Sequence, residues 1–151
     1  MKIMITGACG HIGSYIVENI HRIKKVKNVS LIDNLSSKRY SSLFNIGKNK
    51  KIKFDFFNID LSKKNSLRNF KKYDVVIHCA SFTNAEDSFN IKKEMFRNNL
   101  NCMKNIIKFC KKNKSNLIHL SSTSVYGKKA KIVKENDKHL LKPQSPYAEI
   151  K

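Results

Sequence analysis

KIMITGACGHIGSYIVENI, residues 2–20, is the stretch whose reading decides the fold. It opens on a short apolar run, Lys2 to Thr6, with the make-up of a strand. From His11 the pattern changes: Ile12, Ile16 and Ile20, continued by Ile23, recur at helical spacing and predict a helix over 11–23. Strand and helix are joined by Gly7, Gly10 and Gly13 in a GxxGxxG arrangement, which takes three of the chain's five glycines. Each has a physical use. Gly7 permits the tight turn, Gly10 lets backbone approach a pyrophosphate, and Gly13 lets the helix pack close to the strand. The helix N-terminus then offers unpaired N–H groups and a partial positive charge to phosphates.

The alternation of strand and helix continues along the chain. VSLID (29–33), IKFDFFNID (52–60), VVIHCA (75–80) and LIHLSS (117–122) read as further strands. SLRNF (66–70) reads as a short helix, and a long one is expected over about 91–112 with Met95, Leu100, Met103, Ile106, Ile107 and Cys110 on its apolar side. Strands that are apolar on both faces and separated by helices imply a parallel sheet covered on two sides. The fold class is therefore α/β, a doubly wound parallel sheet, with residues 1–151 forming one Rossmann-like domain. Ligands of such sheets bind beyond the carboxyl ends of the strands, so the chemistry belongs just after residues 6, 33, 60, 80 and 122.

Composition narrows the function. The chain has 151 residues, 40% of them hydrophobic, enough for a core of its own. No stretch has the roughly 18 consecutive apolar residues of a membrane span, and no secretory leader precedes the glycine turn, so no membrane partner is expected and the cytoplasm is the expected location. Thirty-one basic residues against 11 acidic ones give a formal charge of +20. Only Arg22, Arg39, Arg68 and Arg97 are arginines, however, and the lysines are spread over the whole chain. That distribution does not suit specific nucleic-acid readout. Cys9, Cys79, Cys102 and Cys110 share no CxxC spacing and the five histidines lack ligand spacing, so no metal site is expected.

Two acidic residues stand where a dinucleotide site needs them. Asp33 closes the second strand, 20 residues beyond Gly13, where a carboxylate accepts from the adenosine ribose hydroxyls and repels a 2′-phosphate. NAD is thereby favoured over NADP, although Lys38 and Arg39 follow shortly. Asp60 ends the third strand, within reach of an adenine or in use as a turn residue before LSKKNS. At the far end, Ser145 and Pro146 have the character of an N-cap and first helical position. Tyr147 and Lys151, four apart, then share one side of that helix. A free phenol, with a pKa of ~10, is a poor base at neutral pH; an adjacent ammonium and a positive nicotinamide ring favour the phenolate.

TGACGHIGS, IDNLSS, NID, HCAS, NNLNCMKN, SSTSVYG and PQSPYAEIK occur in this order along the whole chain. As an ordered set they resemble the extended short-chain dehydrogenase/reductases, above all the nucleotide-sugar epimerase/dehydratase group, and IDNLSS is especially like UDP-glucose 4-epimerases. The resemblance implies bound NAD and a nucleotide-sugar substrate, a UDP-sugar first. It also implies a catalytic set of Ser122, Tyr147 and Lys151. Cofactor contacts would come from Gly7, Gly10, His11, Ile12, Gly13, Asp33, Asn34, Asp60, Leu61, Ala80, Asn99 and Lys151. Dehydratases of the group carry two acidic residues after the serine; here Thr123 and Ser124 hold those places, which disfavours a dehydratase of that kind. The resemblance then implies NAD-dependent epimerisation of a nucleotide sugar first, with another extended oxidoreductase or lyase on a nucleotide sugar, or a non-catalytic NAD-binding fragment, as the alternatives. Thr83 stands where many UDP-glucose epimerases have a lysine, and Ile150 replaces a usual small residue. Members of the group continue well beyond the Tyr-x-x-x-Lys pair. The chain is accordingly expected to be an N-terminal part, truncated at the catalytic helix, with full catalysis requiring a C-terminal part and a homodimer possible at full length.

Overall fold

The computed structural model describes residues 1–45, 51–83, 86–127 and 132–151. Five strands alternate with helical segments: β1 (Lys2–Thr6), α1 (His11–Asn19), β2 (Asn28–Asp33), β3 (Lys53–Asn58), β4 (Val75–His78), α2 (Lys92–Asn113), β5 (Asn116–His119) and α3 (Pro146–Glu149). They form one sheet in the order β3-β2-β1-β4-β5, and every pairing is parallel. The doubly wound reading stands. Because β1 has β2 on one side and β4 on the other, the winding reverses at its carboxyl end, which opens a crevice there.

Strand alternation divides the core between two faces. Ile3, Ile5, Val29, Leu31 and Ile77 pack with Val17 and Ile20 on the α1 side. Met4, Ile32 and Val76 pack with Cys102, Ile106, Phe109 and Tyr73 on the α2 side. Burial on both faces of β1, β2 and β4 explains why those strands read as continuous apolar runs.

The structure departs from expectation in four ways. The first helix is α-helical only to Asn19 and closes in a 3₁₀ turn over Ile20–Arg22, where Ile23 N–H bonds the Ile20 carbonyl at 3.0 Å. Residues 66–70 make successive turns instead of a helix. Asn65 sits at φ 59°, and Arg68 and Phe70 donate three residues back, to Asn65 and Leu67. Leu67 is nevertheless buried, and Phe70 meets Phe57 edge-on at 4.9 Å, so the segment covers the sheet as a helix would. Three strands also end early: β3 at Asn58 and β4 at His78, each two residues short of the expected end, and β5 at His119, three residues short.

The fourth difference concerns α2. Met95, Asn99, Cys102, Ile106, Phe109 and Cys110 are its buried residues, whereas Leu100 and Ile107 are 43% and 40% exposed. The helix carries two apolar stripes, and hydrophobicity alone does not say which faces the sheet. Asn99 occupies the buried stripe because its amide has partners there: Oδ1 accepts from Phe82 N–H at 2.8 Å and Nδ2 donates to the Phe82 carbonyl at 3.1 Å. No helix among the described residues is long and apolar enough to cross a membrane.

Candidate cofactor and catalytic site

The glycine turn is fastened to β2. Gly7 N–H donates to the Ile32 carbonyl at 2.8 Å, and Gly7 itself lies at φ +65°, left-handed backbone that glycine tolerates at no cost. A side chain at Gly13 would be driven into the Gly7 carbonyl, so the close helix–strand approach needs glycine there too. At Gly10 the situation is different. A Cβ would touch only the Gly7 oxygen, at 3.2 Å, and Gly10 borders a groove of about 680 Å³. As the N-cap of α1, Gly10 brings no side-chain acceptor, so the first-turn N–H groups stay available to a ligand.

Gly7, Gly10, His11, Ile12, Gly13, Asp33, Asn34, Asp60, Leu61 and Ala80 all line this groove. Asp33, 9% exposed, accepts from Cys9 N–H at 2.9 Å through Oδ2 and from Leu35 N–H at 2.8 Å through Oδ1. Asp60 serves as the turn residue expected before LSKKNS. Its Oδ1 accepts from Ser62 N–H at 2.9 Å and Ser62 Oγ at 2.7 Å, and the residue still borders the groove. Asn99 does not line it; its amide clamps Phe82, which does. Glu94 and Asn98, also on the groove, were missed, yet their i, i+4 spacing on one face of α2 was available as a signal.

The catalytic candidates gather at the neighbouring strand ends. Ser122 caps the 3₁₀ turn Thr123–Val125, its Oγ accepting from Ser124 N–H at 3.2 Å and lying 2.8 Å from Ser124 Oγ. Ser145 caps α3 as expected, its Oγ accepting from Ala148 N–H at 3.2 Å with Pro146 following. That helix is a single turn. Tyr147 lies within it, while Lys151 follows in a tightened turn whose N–H reaches only the Ala148 carbonyl, at 3.3 Å. The pair still meets on one side, with Lys151 Nζ 5.8 Å from the Tyr147 ring centroid and 3.4 Å from the Leu120 carbonyl to which it donates.

Lys151 couples this cluster to the strand ends. Burial holds its ammonium below the usual lysine range, with Cys79 acting weakly the other way. Burial also pushes the Cys79 thiol up to about 11, so Cys79, which lines the groove, stays a neutral thiol there. Register places Thr6, His78 and His119 in one row across β1, β4 and β5. Thr6 Oγ1 is 2.7 Å from His78 Nδ1, and the His78 and His119 rings stack at 5.6 Å. Burial, then His119, then the Lys151 charge bring His78 down from 6.5 to about 4.

This arrangement has a measurable consequence. A histidine whose folded pKa is depressed contributes stability that is complete above its unfolded value and is lost on acidification. We expect unfolding free energy to fall between pH 6.5 and about 4, by on the order of 3 kcal/mol from His78 alone. Urea titrations across that window check it. His78→Asn should flatten the slope, and an unchanged slope would remove His78 as its origin.

A doubly wound parallel sheet with a glycine turn at its switch point and an acidic residue closing β2 defines a dinucleotide-binding enzyme domain. Residues 3–151 match the NAD dependent epimerase/dehydratase family, and the chain belongs to it. It is 30% identical over 167 residues to dTDP-D-glucose 4,6-dehydratase of Dictyostelium discoideum, covering 99% of this chain and 38% of that protein. With UDP-glucose 4-epimerase of Yersinia enterocolitica it shares 31% over 131 residues, 84% of this chain and 38% of the relative. Among solved structures, a tyrosine-to-phenylalanine variant of UDP-glucuronic acid 4-epimerase from Bacillus cereus, in complex with UDP-4-deoxy-4-fluoro-glucuronic acid and NAD, superposes with a TM-score of 0.85 at 27% identity, covering 99% of this chain and 48% of that one. The chain thus spans less than half the length of these proteins. NAD is the family's cofactor, and the open face at Gly10 with free first-turn N–H groups fits its pyrophosphate.

Proposed function

We propose that the protein epimerises a nucleotide sugar, a UDP-sugar first, and that residues 1–151 are the cofactor half of that enzyme. The observation that carries this reading is the meeting of Tyr147 and Lys151 beside the carboxyl ends of β4 and β5, next to the dinucleotide groove. The glycine turn and the α1 N-terminus would hold the pyrophosphate, Asp33 the adenosine ribose, and Asp60 with Leu61 the adenine side. Bound NAD supplies a reversible hydride acceptor, so that a sugar carbon can be oxidised and then reduced on its other face. Tyr147 would remove the proton from the hydroxyl on that carbon and later return it. Lys151 sets a positive charge beside the ring where negative charge gathers, and its remaining donors are available to the nicotinamide ribose. Ser122, fixed by its own cap, would donate to the reacting oxygen.

Epimerisation is favoured over dehydration because Thr123 and Ser124 follow Ser122 and neither can serve as an acid or base for water elimination. Ser124 is instead engaged with Ser122. The test is to incubate the purified protein with NAD and UDP-glucose, UDP-galactose, UDP-N-acetylglucosamine or UDP-glucuronate and follow the sugars by NMR. Interconversion of 4-epimers supports the reading, and accumulation of a 4-keto-6-deoxy sugar would replace it with a dehydratase.

We further propose a homodimer through α2. Leu100 and Ile107, exposed and one stripe away from the sheet, form the apolar face a second copy would cover. Leu100→Glu with Ile107→Glu should convert a dimer to a monomer in sedimentation with unchanged circular dichroism. A monomeric parent protein would dismiss this.

A further inference from the structure

We propose that the exposed face of α2 binds a multivalent oxyanion of the phosphate kind, and that this anion joins two copies of the chain through that face; this rests on the α2 dimer proposed above and not on the cofactor or the sugar chemistry. Lys93, Arg97, Lys104, Lys108 and Lys111 stand on the face, and all five are exposed. At 3.6 residues per turn they fall within about 60° of one another around the helix and run about 27 Å along it. Leu100 and Ile107, also exposed, follow the edge of this row. The carboxylates nearest in the chain are directed elsewhere. Glu94, the one acidic residue of α2, lines the dinucleotide groove, and Glu149 of α3 pairs with Lys92 at 3.0 Å. Among the described residues, neither ion pair takes in any of the five cations.

The row is unfavourable to the helix that carries it, since like charges at i, i+4, as in Lys93 with Arg97 and Lys104 with Lys108, repel. It is more unfavourable still to a dimer. A two-fold contact sets one patch against its own copy. Closing Leu100 and Ile107 onto their counterparts therefore faces five cations with five more, in a chain whose formal charge is already +20. Like charges brought together across an interface oppose association. The apolar pair thus favours a second copy, and the cations beside it resist one unless negative charge lies between. A phosphate-type anion brings more than one charge and several acceptor oxygens in a small body. It can accept charge-assisted bonds from both rows at once, from the lysines as point charges and from Arg97 through its planar fork. Monovalent salt offers only screening, over a length of about 8 to 10 Å at ordinary ionic strength.

The test is sedimentation equilibrium of the purified protein in sodium chloride and in inorganic phosphate at one pH and one matched ionic strength. Phosphate should tighten the dimer about 10-fold or more relative to chloride. A variant carrying Arg97→Gln, Lys104→Gln and Lys108→Gln, all at exposed positions, should keep its circular dichroism and dimerise equally in the two salts, because it has lost both the repulsion and the anion's partners. A parent dimer of equal strength in both salts overturns the anion site and leaves the α2 dimer standing. Tightening by phosphate that the triple variant keeps in full overturns it too, since the anion then acts elsewhere. A parent that is monomeric in both salts while the triple variant dimerises shows repulsion without an anion site, and again overturns the proposal. Monomers throughout, parent and variant alike, overturn it together with the dimer reading.

Discussion

Replacing Tyr147 with phenylalanine should cut UDP-sugar turnover about 10²- to 10⁴-fold, the scale at which a positioned acid/base contributes, while leaving NAD affinity nearly intact. The substitution is clean for structural reasons. Tyr147 is half-buried in the single turn of α3, between the buried Pro146 and Ala148, and a phenyl ring keeps its place over the Lys151 ammonium. Only the hydroxyl disappears. The α3 turn itself is held by the Ser145 cap and by the Lys92–Glu149 ion pair at 3.0 Å, neither of which the change touches. Steady-state kinetics on the variant, with NAD titrated separately, separates the outcomes. Retained turnover would reject Tyr147 as the base. A parallel loss of NAD affinity would mean that the ring's position, not its proton, had been disturbed.

Gly13→Ala should be severely damaging to the cofactor loop, and Gly10→Ala supplies its contrast. At Gly13 the new methyl group meets three backbone atoms, the Gly7 carbonyl oxygen and carbon and Ala8 Cα, the last at 2.9 Å. Backbone of a turn whose N–H groups are tied to Ile32 has no cheap way to yield. A loss of about 3 kcal/mol or more in stability is expected, at the upper end of what overpacking costs, together with loss of NAD binding. At Gly10 the methyl touches only the Gly7 oxygen, at 3.2 Å, and otherwise projects beside the groove. Folding should suffer much less there than at Gly13, because one contact has to ease by only a few tenths of an ångström, and NAD affinity should fall by about 10-fold or more, since closely approaching backbone is what the pyrophosphate needs. Thermal melts and titrations on the two variants test the division. Equal effects of both would undo the assignment of packing to one glycine and ligand contact to the other.

The part of the site built from local sequence was legible. The strand, the glycine turn and the helix of residues 2–20 follow one another along the chain, and Asp33 is found by counting from them. The strand-end rule then placed Asp60 and Ala80 on the groove. Features that depend on packing were not legible. Two apolar stripes on α2 made the wrong face plausible until the Asn99 amide showed which one meets the Phe82 backbone. The Arg39–His11 contact joins residues 28 apart, and the Thr6–His78–His119 row needs the register of three strands. Neither spacing nor composition contains them.

Cys9 is the knot of the groove. Its N–H goes to Asp33 Oδ2, and its carbonyl receives both Arg39 Nε and, at 3.1 Å, Ser42 Oγ. The segment from Asp33 to Ser42 is thereby fastened to the glycine turn without help from any ligand. Ordering that segment is a cost met during folding, so the arriving nucleotide surrenders mainly its own freedom and little of the chain's. Binding should then resemble a key entering a cut lock, with a modest heat-capacity change and no slow closing phase on this side of the site.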